Sequence, residues 1–340
     1  MKYLNMQNEV NWKAGSFFTK NKFIKGFVLL FLIVMILFPY ASYQGASSGL
    51  LLWFHNVLPT LLPFIIISNL MIHLNITKQI SRIFYPFLGK ILHVSCDGCY
   101  PIVIGFLSGI PMGAKSVADL VSEHKINREE GGFLLTMCNN ASPMFIIGYI
   151  AISQLKLPRI KYALFVILYG SAIISALLYR SMNKKLQRNA MNPNLENKHL
   201  AYVQKEKPPT KFSFDILDNS IMNGFDVVTK IGGYIILFSI LAQIVNVIGP
   251  SIGFFKAFLM GILEITTGIN QICNTSINPT TKIVLVAVLT SFGGLSGMAQ
   301  TKSVLGDTRL SMKSYFTVKL INVLVTFLLS LFYVTLFQFA

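Results

Sequence analysis

A succession of long apolar stretches, separated by short polar or charged segments, constrains this chain more than any other feature. Residues 23–38, 49–74, 131–153, 160–179, 220–248 and 315–339 are each rich in Leu, Ile, Val and Phe. As helices, stretches of this kind match the hydrocarbon core of a bilayer. Composition agrees: hydrophobic residues make up 53% of the chain and charged residues 12%, about half the charge of a soluble domain. That little charge does not cover a water-facing surface, so an ordinary soluble enzyme is excluded, as is a disordered chain. The chain reads as an all-α polytopic membrane protein, because helices satisfy their own backbone groups in lipid.

Lys and Arg number 29 against 13 Asp and Glu, a net charge of +16. The basic residues gather in the N-terminal tail (Lys2, Lys13, Lys20, Lys22) and in 181–215, which also holds Pro208-Pro209. Membrane topology explains this distribution without a nucleic-acid partner, since basic segments stay on the cytoplasmic side. Residues 23–38 follow a long polar tail and show no small-residue cleavage site, so they read as a retained first helix. Four parts result: a tail and first transmembrane helix (1–48), a first repeat (49–180), a basic cytoplasmic linker (181–215) and a second repeat (216–340). Within the first, residues 78–94 mix Lys78, Arg82 and Lys90 with apolar side chains and predict a helix lying in the interface.

Several apolar stretches are broken by residues that a plain helix avoids. Ser108, Gly109, Pro111 and Gly113 sit in the middle of 101–121, where Gly and Pro disrupt helical pairing. A re-entrant helical hairpin accommodates them. The small residues 293–297 predict a second hairpin near 282–305, and Asn139 to Pro143 predict a broken helix. Leu107-Ser108-Gly109 before Lys115-Ser116-Val117 is echoed by Leu295-Ser296-Gly297 before Lys302-Ser303-Val304, with Asn139 and Asn322 in matching places further on. With the N-terminus and the linker in the cytoplasm, the two halves enter the bilayer in opposite directions. Two inverted repeats, each with a re-entrant hairpin and a broken transmembrane helix, are the architecture of secondary transporters.

The candidate site follows from these breaks. Freed backbone at Ser108, Gly109, Pro111 and Gly113, and at Gly294 and Ser296, can line a substrate site; close helix packing is the alternative. Lys115 and Lys302, just beyond the two tips, suit a dicarboxylate or another anion, or else snorkel to the interface. Asn139, Asn140 and Ser142 can bind polar solute groups or coordinate a cation; capping of the broken helix is the alternative. Glu264 stands in the apolar run Leu263-Glu264-Ile265-Thr266-Thr267. A charge in that setting costs about 2.5–3.5 kcal/mol on insertion scales, which marks it as an ion-coupling carboxylate or the structural partner of a Lys or of a backbone break. Thr266 and Thr267 could add hydroxyl ligands. Na+ and H+ are the candidate coupling ions. Cys96 and Cys99 form a lone C-x-x-C with no supporting ligands, so no metal and no other cofactor is expected. The sequence holds no nucleotide loop, nucleophile elbow or dinucleotide fingerprint, so it does not read as an enzyme.

Five motifs in order resemble the sporulation integral membrane protein YlbJ family. They are Ser108 to Ala114, Ala118-Asp119-Leu120, Asn139 to Ile146, Leu263 to Gly268, and Phe292 to Ser296 followed by Gln300. The resemblance runs from about residue 45 to the C-terminus. It implies a nucleoside-recognition Gate domain similar to that of concentrative nucleoside transporters, and it adds Gln300 to the substrate-binding candidates. It also implies a link to sporulation and to movement of dipicolinic acid across the outer forespore membrane. The expectation is a secondary transporter of a small polar, anionic solute in the cell membrane or outer forespore membrane, with a nucleoside-like solute as a variant. A non-transporting membrane scaffold for sporulation, docking through 181–215, is the alternative. Partners are the solute and the bilayer; a homo-oligomer stays open.

Overall fold

The computed structural model describes residues 22, 25–74, 76–183, 212–249 and 254–337. Nearly all of the N-terminal tail and most of the 181–215 linker lie outside the described residues. Among the described residues the chain is helical, with no strand. Four helices are long and apolar enough to cross a membrane, or up to six if each bent pair counts as one span.

Helix Lys25–Leu37 turns by 105° into a second segment beginning at Pro39. That segment continues as Pro39–Leu52, a π turn at Trp53–Val57, and Leu58–His73. Pro59 and Pro63 remove donors from the ordinary helical ladder. The π turn just ahead shifts pairing by one residue, with Leu58 N donating to Trp53 O, and so absorbs the mismatch. This rod lies antiparallel to the long helix Phe214–Ile248. Gln243 donates to Gln44 at one end (2.9 Å), Trp53 Nε1 to Val228 O in the middle (2.8 Å), and Asn69 to Ser220 O at the other end (3.4 Å). After His73 the chain bends by 95° into Thr77–Leu92. Lys78, Gln79 and Arg82 are exposed there while Thr77 and Ser81 are buried, the one-sided pattern of an interfacial helix.

The remaining helices fall into two sets with the same order. The first is a hairpin (Cys99–Ser108 and Met112–Ser122), an interrupted span (Arg128–Cys138 and the π helix Phe145–Gln154), and a closing helix (Lys161–Met182). The second is a hairpin (Phe255–Leu263 and Ile265–Cys273), an interrupted span (Pro279–Phe292 and Gly294–Val304), and a closing helix (Met312–Phe337). In the second hairpin Gly268 lies against the backbone of Gly261 with no room for a Cβ, so the two arms fold back on each other. In the first, Gly105 and Gly113, one on each arm, both press on the carbonyl of Cys138. Close approach through small residues is the usual means of association where lipid removes the hydrophobic drive between helices.

The two hairpins enter from opposite ends of the molecule. Leu310, just after the second interrupted span, lies against Gly131 at the start of the first, beside the base of the first hairpin. Gln154, at the end of the first interrupted span, accepts from Asn270 near the base of the second hairpin (3.0 Å). The repeats are therefore inverted, as the sequence predicts, but their register differs from the expected one. The second hairpin is Phe255–Cys273, not 282–305. Residues 279–304 instead form one continuous candidate span, interrupted where Gly293 and Gly294 take φ of 83° and 68°. The counterpart of Gly109 is thus Glu264, and Asn139 and Asn322 are not equivalent: one lies at an interruption, the other on a closing helix. Small residues followed by Lys-Ser suit a hairpin tip and a helix interruption alike, because both need backbone freed from helical pairing. The short motif could not distinguish them.

Two cores flank the interruptions. One joins the first hairpin, Phe133 to Cys138 and the long helix from Val227 to Ile235. The other joins Ile146 to Ala151, the first closing helix and Ile269, Ile272 and Ile283. The first interrupted span contributes one half to each core, which holds its break between them. Large apolar side chains on the perimeter, among them Phe27, Leu51, Val166, Leu324 and Phe332, are exposed and form the lipid-facing surface.

Candidate functional site

Both hairpin tips dock on helix interruptions. At the first tip Gly109 adopts φ 79°, and Ile110 N donates to Asn140 O within the first interruption (2.8 Å). The left-handed turn is open to Gly without penalty. At the second tip Glu264 adopts extended backbone (φ −139°, ψ 115°) and caps the arm that follows. Gly294 in the second interruption sits against Ile265 N and Leu263 O at that tip. The side chain of Ile110 also reaches Gly293, so all four breaks converge.

A cavity of about 370 Å³ opens at this convergence. Ile110 and Glu264 to Thr266 come from the tips, Ala141, Ser142, Gly293, Ser296 and Gln300 from the interruptions, Phe145 and Tyr149 from the π helix, and His55 and Asn56 from the π turn of the rod. Irregular backbone at this depth is tolerated because it is buried in protein or faces the cavity. The Gly294–Val304 helix begins at the cavity wall, where Gly293, Ser296 and Gly297 line the space, and the N-terminal end of a helix favours negative charge.

Glu264 is buried, with 2% exposure. One carboxylate oxygen accepts from Thr267 N (2.8 Å) and Thr267 Oγ1 (2.9 Å), and the other from Thr266 Oγ1 (3.2 Å). The two hydroxyls thus serve the carboxylate, and the carboxylate satisfies the orphan N–H groups of a helix start. Glu264 supports a backbone break and also lines the cavity.

Of the other expected residues, Ser142, Ser296, Gln300 and Thr266 line the cavity. Gln300 donates to Ser296 Oγ (3.1 Å), which leaves amide capacity facing the space. Asn139 and Asn140 lie behind the wall. Asn139 donates to Thr301 Oγ1 (2.7 Å) and the Tyr315 hydroxyl (2.9 Å), tying the first interruption to the second repeat. Asn140 donates to Met137 O (2.6 Å). Gly113 packs on Cys138, and Gly109 and Gly294 shape turns. Ser108 is buried with no hydrogen-bond partner, and neither it nor Pro111 lines the cavity. The two lysines are not brought together at the site: Lys115 pairs with Asp119 at 2.8 Å, and Lys302 is exposed. Thr301, the neighbour of Lys302, faces inward instead, because helix periodicity turns adjacent residues about 100° apart.

Two groups were missed. His55 and Asn56 reach the cavity from the rod, which spacing alone does not reveal. Lys319, in the second closing helix, is 2% exposed and carried the same signal as Glu264, a charge inside an apolar run. Cys96 and Cys99 are free thiols. Burial and the adjacent Asp97 push the Cys96 thiol above its usual range, disfavouring the reactive thiolate. Among the described residues, no group of three or more His, Cys, Asp or Glu could hold a metal ion.

Paired inverted hairpins, interrupted spans and an apolar perimeter define an integral, multi-pass membrane protein. The chain is 27% identical over 326 residues, 88% of its length and 79% of the relative's, to the sporulation integral membrane protein YlbJ of Bacillus subtilis (strain 168). This similarity supports the YlbJ family, in agreement with the motifs. No family model matches the chain, and no solved structure matches it.

Proposed function

We propose that the protein is a secondary transporter of a small polar, anionic solute, with the central cavity as its binding site. The observation that carries this reading is the meeting of both hairpin tips and both helix interruptions around one cavity. Inverted repeats with discontinuous helices at the bilayer midplane allow alternating access by motion of one repeat against the other. Ser142, Ser296 and Gln300 supply hydrogen bonds, the start of the Gly294–Val304 helix receives negative charge, and Phe145 and Tyr149, stacked with ring centroids 5.0 Å apart, offer an aromatic face. A planar aromatic dicarboxylate such as dipicolinate fits these features, and so does the sporulation role in the name of the Bacillus relative. A nucleoside would use the same amides and rings. The lysines do not enter this reading.

Reconstitution in proteoliposomes tests it. Dipicolinate or nucleoside uptake above that of empty vesicles is expected, reduced at least tenfold by Gln300→Leu. Absence of flux for either solute in well-folded protein, with flux-independent function lost on deletion of 184–211, would favour the scaffold reading instead.

A further inference from the structure

Behind the cavity wall the buried side chain of Lys319 bridges the two repeats. Lys319 Nζ donates to Asn140 Oδ1 at the first interruption (3.1 Å) and to Ser291 O at the end of the helix preceding the second (3.4 Å). It also stands 5.5 Å from the centre of the Tyr315 ring. An ammonium has three protons to place; two go to oxygens and the third faces the aromatic ring, a favourable cation–π contact. Among the described residues no carboxylate pairs with Lys319. One turn further on, Asn322 donates to the same Ser291 O (3.3 Å), while its own Oδ1 is buried with no hydrogen-bond partner. A carbonyl near a helix C-terminus, Ser291 O, and an amide oxygen at unwound backbone, Asn140 Oδ1, are therefore gathered at the Lys319 amine, with the unpartnered Asn322 Oδ1 one turn along the same helix. Oxygen groups of this kind coordinate Na+ in discontinuous-helix transporters. Here the cation is part of the chain.

We infer that Lys319 is a tethered cation occupying the position where a coupling metal ion would otherwise sit, so that the two repeats are held together without Na+. For transport, the inference rests on the function proposed above and makes solute movement independent of Na+. The site itself is independent of flux. Among the described residues, the ionisable side chain shown in contact with Lys319 is Tyr315, whose hydroxyl accepts from Asn139.

Thermal melting of the purified protein in NaCl against choline chloride tests the site. The wild type is expected to melt at the same temperature in both. Lys319→Ser removes the ammonium and leaves room among the oxygens, and its melting temperature should rise in Na+ toward that of the wild type. Lys319→Met fills the space without charge and should ignore Na+. A wild type stabilised by Na+ overturns the inference, as does a Lys319→Ser protein that is indifferent to Na+. A Lys319→Ser protein that folds only when Na+ is present supports it; one that folds in neither salt while Lys319→Met folds overturns it. If flux fails while the melting pattern holds, the cation site stands and the transport reading falls.

Discussion

The two repeats share an order of elements but solve the same backbone problem with different chemistry. Each hairpin tip and each interruption frees N–H and C=O groups that must find partners away from water. In the first repeat the partners are neutral: Ile110 N takes Asn140 O, and the Tyr169 hydroxyl lies 2.7 Å from Phe106 O and 3.0 Å from Ala141 O. In the second, charged groups serve: Glu264 caps its own hairpin arm, and Lys319 holds Ser291 O. The first interruption runs over four residues, from Asn139 to Ser142, and is braced by the first hairpin tip, the first closing helix and the second repeat. The second is shorter, the two left-handed residues Gly293 and Gly294 at the junction of two helices. On the proposed transport function, the comparison predicts switching in the second repeat, where ionisable groups serve the freed backbone, and bracing in the first.

The largest expected effect would break the shared part of that comparison. Gly268→Val puts a branched side chain into the Gly261 backbone, and Gly113→Val does the same at Cys138. Each should cost about 3 kcal/mol or more, seen as loss of monodisperse protein in detergent. If only one of them is disruptive, the hairpins are not equivalent in packing.

Glu264→Gln sharpens the difference between the repeats. The amide oxygen keeps one acceptor for Thr267, so stability should fall by only about 1 kcal/mol, while solute flux should drop more than tenfold. Unchanged flux would leave Glu264 as a cap alone. Its counterpart in the bracing repeat is Tyr169→Phe. Loss of that hydroxyl should lower stability by about 1 kcal/mol, read as melting temperature, with flux per folded molecule little changed. A flux loss as large as that of Glu264→Gln would overturn the division of roles.

The smallest effects are expected at the lysines. Lys115→Ala breaks a partly exposed pair with Asp119, with side-chain exposures of 11% and 30%, worth about 0–1 kcal/mol. Lys302→Ala alters an exposed side chain. Neither should change the solute Kd; a tenfold weakening by either would restore the paired-lysine site.

Several features were legible in the residues. The apolar stretches revealed membrane helices, Ser108 to Gly113 revealed the first hairpin, Asn139 to Pro143 the first interruption, and the isolated carboxylate of Glu264 a special position. Others were not. Gly293-Gly294 and Glu264 exchanged roles, because a freed backbone looks the same in sequence whether the chain reverses or continues. His55 became a cavity residue only because the π turn at Trp53–Val57 aims the rod at the four breaks.

The sequence by itself determined that this chain lives in a bilayer, that its helices are interrupted, and which rare charges are costly enough to matter. Those follow from transfer energies and backbone pairing, which are local. Tertiary structure alone decided which breaks face one another, that neither Lys115 nor Lys302 lines the cavity while Lys319 joins the two repeats, and where the cavity opens. The contacts between the repeats, Asn139 to Thr301 and Lys319 to Asn140, join residues more than a hundred positions apart, and only the packing of inverted repeats brings them within hydrogen-bond reach.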